Sequence, residues 1–234
     1  MKSSKLKAIA RGKMLGKYNT AAGALVLIQL LLFVVNAIVS GVVDTTTSSG
    51  MIMFAAISII INLIASVLVV GELSIYMNLA VGNPAKVTDV FCYFKGQTDR
   101  IIITELLMAL RLLVWMIPVG GVAAWTELNG LATDESVIIT GVILIICGCG
   151  MIYTMISLSQ CYYLILDFPQ YSASEVVKLS SKIMKGHKLS YLWLAISFIP
   201  MMILAVLSCG IGMLFVYPYM RMTMTEFYLD IIRE

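Results

Sequence analysis

The chain has 234 residues, of which 60% are hydrophobic and only 12% charged, with a mean hydropathy of +0.97. A soluble domain of this size carries about twice that charged fraction, so an ordinary water-soluble domain is excluded. The net charge of +3 sits beside apolar runs, where it reads as membrane topology rather than as a nucleic-acid surface.

Residues 4–15 form a short basic helix in which Leu6, Ile9, Ala10 and Met14 are apolar among Lys5, Lys7, Arg11 and Lys13. At 1.5 Å per residue, about 20 apolar residues cross roughly 30 Å of hydrocarbon. A first crossing is expected over 21–43; the run is too long for the apolar core of a secretion signal and lacks an Ala-x-Ala-like end. The polar loop 44–50 leads to a second crossing over 51–80, stopped by Gly82-Asn83-Pro84. A third is expected over 101–124, broken near Pro118-Val-Gly-Gly121, and a fourth over 137–166, ended by Asp167-Phe-Pro169.

Ser172-x-x-Glu175 reads as a capping box opening a short helix that Gly186 closes. Val176, Leu179 and Ile183 recur at helical spacing, with Lys178, Lys182 and Lys185 on another face. This is the pattern of a helix lying in the headgroup plane, and residues 4–15 share it. The 32 uncharged residues over 189–220 are too many for one crossing. They divide at Gly210-Ile-Gly212 into a fifth span, 189–208, and a sixth, 211–229, with a kink expected at Pro218.

Lysine and arginine alternate along these runs. Six precede residue 18, three lie over 81–100 and four over 178–188, while the connections 44–50, 125–136 and 208–212 have none. Cationic loops stay on the inner face, so both termini are expected to be cytoplasmic.

The pattern repeats three times, over 3–80, 85–166 and 173–232. Gly16 to Gly41 is 25 residues, and Gly96 to Gly120 and Gly186 to Gly210 are 24 each. Tyr76 precedes Asp89 by 13 residues, as Tyr162 precedes Glu175. Units of one orientation are related by an axis along the membrane normal. The expected fold is therefore an all-α polytopic bundle: six transmembrane helices in three hairpin-like repeats, with short cytoplasmic interfacial helices.

Ser172-Ala-Ser-Glu-Val, Met184-Lys-Gly-His-Lys188 and Leu194-Ala-Ile-Ser-Phe198, followed by Gly210-Ile-Gly, Tyr217-Pro-Tyr219 and Glu226-Phe-Tyr228, resemble a bacterial integral-membrane family. It is the family catalogued as domain of unknown function 975. The resemblance covers essentially the whole chain and is most specific from residue 172 onward. It implies a multi-span protein of the kind found in Gram-positive bacteria and brings no established activity. Where the family often has tryptophan after Ser-Phe-Ile, this chain has Pro200, and packing there is expected to differ.

Charges inside spans cost about 2.5–3.5 kcal/mol on insertion scales and are functional candidates by default. Glu72, Glu105, Arg111, Arg221 and Glu226 qualify. Counted from the span ends, Arg111 and Arg221 lie roughly 15 Å deep, near mid-membrane. Glu105 and Arg111 are six apart and Arg221 and Glu226 five apart, so neither pair shares a helix face. Pairing is expected between helices: Glu72 with Arg111, and Arg221 with Glu105 or Glu226. With Gln29, Asn62 and Gln160 these charges either line a cavity or pin the helices in register. Lys178, Lys182, Lys185, His187 and Lys188 are the candidate contacts to lipid headgroups.

The single histidine has no orienting partner in the local sequence, and the 16 methionines lack accompanying Cys or His pairs. The five scattered cysteines give neither a disulfide framework nor a zinc spacing. Motifs for phosphate loops, zinc proteases, nucleophile elbows and EF-hands are missing. No catalytic residue, metal, cofactor or nucleic-acid partner is expected. The expected protein is a non-enzymatic, multi-pass component of a bacterial cytoplasmic membrane. It would bind a lipid or an amphipathic small molecule or peptide, in support of transport, envelope maintenance or self-protection. The alternative is a secondary transporter with a polar site at mid-membrane.

Overall fold

The structure, a computed structural model, describes residues 3–129 and 134–233. Among the described residues every regular element is helical: α1 (Ser3–Met14), α2 (Tyr18–Val42), α3 (Ser48–Val81), a 3-10 helix (Val87–Lys95), α4 (Thr98–Asn129), α5 (Asp134–Leu158), α6 (Cys161–Asp167), α7 (Ala173–Ile183), α8 (Lys188–Ile196), α9 (Ile199–Leu207) and α10 (Met213–Arg233). Part of the connection expected at 125–136 lies outside the described residues.

Local chemistry sets these boundaries. Thr47 caps α3, its hydroxyl accepting from the Gly50 amide at 3.1 Å. Gly82 ends the same helix at φ +93°, a conformation that costs residues with a Cβ; it lets the Asn83 amide bond the Asn78 carbonyl at 2.9 Å. The expected capping box opens α7: the Ser172 hydroxyl accepts from the Glu175 amide, and the Glu175 carboxylate accepts from the Ser172 amide at 2.8 Å.

Three local expectations need correction. The third span is not broken at Pro118–Gly121, because α4 runs unbroken through Pro118; one missing donor bends a long helix more readily than it ends it. The interruptions fall elsewhere. Ser159–Gln160 separates α5 from α6, and Ser197–Phe198 separates α8 from α9. Pro200 accounts for the second: inside a continuous helix its ring would crowd the carbonyl four residues back, so α9 restarts with proline in its first turn.

Among the described residues five helical stretches are long and apolar enough to cross a membrane: Tyr18–Val42, Ser48–Val81, Thr98–Glu127, Val137–Asp167 and Lys188–Leu207. The sixth crossing expected over 211–229 is not among them. Its helix, α10, carries Arg221, Glu226 and Asp230 within 21 residues.

The core lies towards one end of the bundle. Met222–Tyr228 of α10 are all buried, as are Ser66–Leu68 and Val70–Tyr76 of α3 and Tyr163–Ile165 of α6. The far halves of α3, α4 and α5 carry exposed apolar side chains such as Ile59, Ile60, Leu113, Ile117 and Ile145. The short helices pack around the core: α1 against α10, the 3-10 helix against α3, and α7 against α4 and α6. Gly71 makes the second contact close, since a Cβ there would strike the Val90 carbonyl. The apolar faces of α1 (Leu6, Ala10, Met14) and α7 (Val176, Val177) are thus covered by protein, not by lipid as the headgroup-plane pattern suggests. Periodicity shows that a helix has an apolar face, but not what covers it.

Candidate functional site

The five intramembrane candidates each take a different direct partner. Glu72 is 3% exposed on α3 and accepts from the Tyr76 hydroxyl at 3.3 Å. The cation acting on it is Arg221 of α10. Arg221 donates through Nε to the Tyr217 hydroxyl at 2.8 Å and lies 5.1 Å from the Tyr217 ring centre. Glu105 accepts from the Tyr162 hydroxyl. Arg111 is exposed and donates to the Ser181 hydroxyl of α7 at 3.2 Å. Glu226 pairs with Lys13 of α1 at 2.7 Å.

The pairings expected from the spans, Glu72 with Arg111 and Arg221 with Glu105 or Glu226, are therefore replaced. The short helices supply Lys13 and Ser181, and tyrosines satisfy the carboxylates. Two of these tyrosines had a sequence signal: Tyr76 follows Glu72 by four residues and Tyr217 precedes Arg221 by four, the spacing that stacks side chains on a helix.

The short helices adjoin these charges. Arg111 meets α7. Beside Arg221, the Tyr219 hydroxyl donates to the Lys7 carbonyl of α1 at 3.2 Å. Glu72 adjoins the 3-10 helix through Gly71. All three charges lie at the level of the short helices. A count from the end of α3 does not give depth, since its 34 residues make about 51 Å, against roughly 30 Å of hydrocarbon.

The headgroup candidates lie on and after α7. Lys178, Lys182 and Lys185 are exposed, and His187 is half-buried. Lys188 sits 3.3 Å over the centre of the Tyr153 ring, a cation–π contact that ties α8 to α5. Further polar contacts have no signal in sequence spacing. Lys7 donates to the Ser197 carbonyl at 3.0 Å, 4.2 Å from the Phe198 ring centre, filling the interruption between α8 and α9. Burial pulls its ammonium below the usual lysine range. Arg100 donates to the Phe168 and Pro169 carbonyls at 2.7 and 2.9 Å, closing the end of α6. Tyr228 stacks on Tyr163 with centroids 4.8 Å apart and donates to Asp167 at 2.7 Å. Gln160 is fully buried where α5 gives way to α6, and its Oε1 meets no partner there.

Beside the Glu72–Arg221 pair, α2 and the start of α10 bound a groove of about 510 Å³, within the usual range for small-molecule sites. Leu25, Val26, Leu30, Phe33, Met213 and Leu214 make its walls apolar; Gln29 and Tyr217 supply the polar groups. Tyr217 is the residue that receives Arg221, so the groove joins an apolar wall to a hydrogen-bonded cation. Among the described residues no group of three or more His, Cys, Asp or Glu side chains is placed to hold a metal ion.

A family model described as protein of unknown function (DUF975) matches residues 1–234, and the chain belongs to that family. No curated protein and no solved structure matches it.

Proposed function

We propose that this DUF975 protein is a non-enzymatic component of a bacterial cytoplasmic membrane, with both termini inside. It binds one amphipathic molecule, a lipid or an amphipathic peptide or small molecule, between α2 and α10. The observation that carries the reading is the groove: apolar along its walls, polar at Gln29 and Tyr217, and connected through Tyr217 to Arg221. An apolar tail fits the walls and a polar head fits the tyrosine and arginine. Such binding suits support of transport, envelope maintenance or self-protection.

The three-unit organisation, 3–80, 85–166 and 173–232, belongs to the same reading. The 3-10 helix of the second unit packs on α3 of the first, α7 of the third on α6 of the second, and α1 of the first on α10 of the third. Each short helix thus meets the inward-running helix of the preceding unit, in a closed cycle, which supports the repeat. A secondary transporter working through Glu72, Arg111 and Arg221 is less well supported, because Arg111 stands apart from the other two.

The test is native mass spectrometry of protein extracted in mild detergent. An amphipathic adduct is expected on the wild type and is expected to be lost when Leu30→Trp fills the groove in a protein of unchanged helicity. Equal retention by both proteins rejects the groove as the binding site.

A further inference from the structure

The three hairpins differ in reach. The inward-running arms are α3, of 34 residues, and α5 with α6, over 134–167, but α10 has only 21. α10 packs against α3, and Arg221, bonded to Tyr217, is the cation acting on Glu72, so the two lie at about one level. Outward from Glu72, α3 continues to Ser48, about 36 Å of helix; outward from Arg221, α10 ends at Met213 after about 12 Å. The other arm agrees. Phe198 meets Tyr219 edge-on at 5.5 Å, and from that level α9 rises only about 14 Å to Leu207. Lys188–Leu207 is long enough in itself to cross, but beyond the Glu72–Arg221 level both arms stop roughly 22–24 Å short of the end of α3.

The tip also has the chemistry of a turn that stays out of water. Residues 208–212, Ser-Cys-Gly-Ile-Gly, carry no charge, whereas the first hairpin turns through Asp44 and a run of threonines and serines. Backbone donors at a buried turn must be satisfied internally. Here the Gly210 amide bonds the Ala205 carbonyl at 3.2 Å, Ile211 the Ser208 carbonyl at 3.2 Å, Gly212 the Ser208 hydroxyl at 2.8 Å and Met213 the Gly210 carbonyl at 3.0 Å. Around this turn Leu207 and Ile211 are 75% and 66% exposed, as suits a hydrocarbon surrounding and not water.

We infer that α8, α9 and α10 form a re-entrant hairpin, which enters the bilayer from the cytoplasmic side, turns at residues 208–212 within the hydrocarbon and returns without crossing. The C-terminus stays cytoplasmic, as the charge pattern requires. On the groove reading proposed above, Met213 and Leu214 at the tip open the groove inside the bilayer, so its occupant arrives dissolved in the membrane and not from the outer aqueous phase.

Cys209 is native to the tip and exposed, which makes the test direct. Intact cells are treated with a membrane-impermeant maleimide and the cysteine peptides are mapped by mass spectrometry, with Thr45→Cys as the outer reference. The reference is expected to be modified and Cys209 spared until detergent is added; modification of Cys209 on intact cells overturns the inference. A spin label on Cys209 in liposomes is expected to collide more with oxygen than with a water-soluble nickel chelate, and the reverse order overturns it equally. Both readouts are independent of ligand retention, so failure of the groove reading leaves them interpretable.

Discussion

Lys13 and Glu226 stand 2.7 Å apart, joining the first short helix to the last helix of the chain. The Lys13 side chain is 32% exposed and that of Glu226 only 6%, so removing the lysine strands a largely buried carboxylate. Lys13→Met is expected to lower stability by about 2 kcal/mol, between the limits for surface and buried pairs. Denaturation in detergent measures it, and Glu226→Gln in the same background is expected to recover part of the loss. Additive losses would show that the two residues are not coupled.

The contact of Gly71 with the 3-10 helix leaves no room for a methyl group. Gly71→Ala is expected to cost about 1–3 kcal/mol, the usual range for overpacking. Gly41→Ala, where nothing lies within 4 Å, serves as the control. Equal melting temperatures for the two variants would contradict the packing described.

The cap of α7 predicts a pH dependence. Hydrogen bonds from the Ser172 amide, then from its hydroxyl, hold the Glu175 carboxyl below the usual glutamate range. A carboxyl depressed by folding stabilises above its unfolded pKa, and that contribution fades as pH falls through the folded value. Wild type is therefore expected to melt above Glu175→Gln at pH 7, with the gap closing in acid. A gap that is constant with pH would remove the cap from the account.

Cyclic packing predicts tolerance of a changed chain order. α1 runs parallel to α10, Lys7 meeting Tyr219 and Lys13 meeting Glu226, so a linker from Arg233 to Ser3 has to run back along about 27 Å of helix. A circular permutant beginning at Lys86 is expected to insert in the membrane and to melt within a few degrees of wild type. Failure to insert, with wild type expressed alongside, would argue against the closed cyclic packing.

The sequence carried the helices well, because long uncharged runs and their stops at Gly82, Asp167 and Gly186 reflect local chemistry. It carried the interruptions poorly. Pro118 and Pro200 look alike in sequence, yet α4 continues through the first and the helix breaks before the second. The charges themselves were legible, but their partners were not, since Lys13 and Glu226 lie 213 residues apart and no periodicity relates them. Depth was not legible for a geometric reason: a count from helix ends assumes that each helix stops at the membrane surface, whereas the 34 residues of α3 exceed what a crossing needs. The groove at Gln29 and Tyr217 depends on how α2 and α10 approach one another, which neither helix encodes alone.

The proposed topology rests on the short helices and their lysines facing the cytoplasm. Its most direct test treats intact cells and inside-out vesicles with a membrane-impermeant amine reagent and maps modification at Lys95 and Lys185, both exposed. Modification is expected in the vesicles and not on intact cells. Modification of either lysine on intact cells would contradict it.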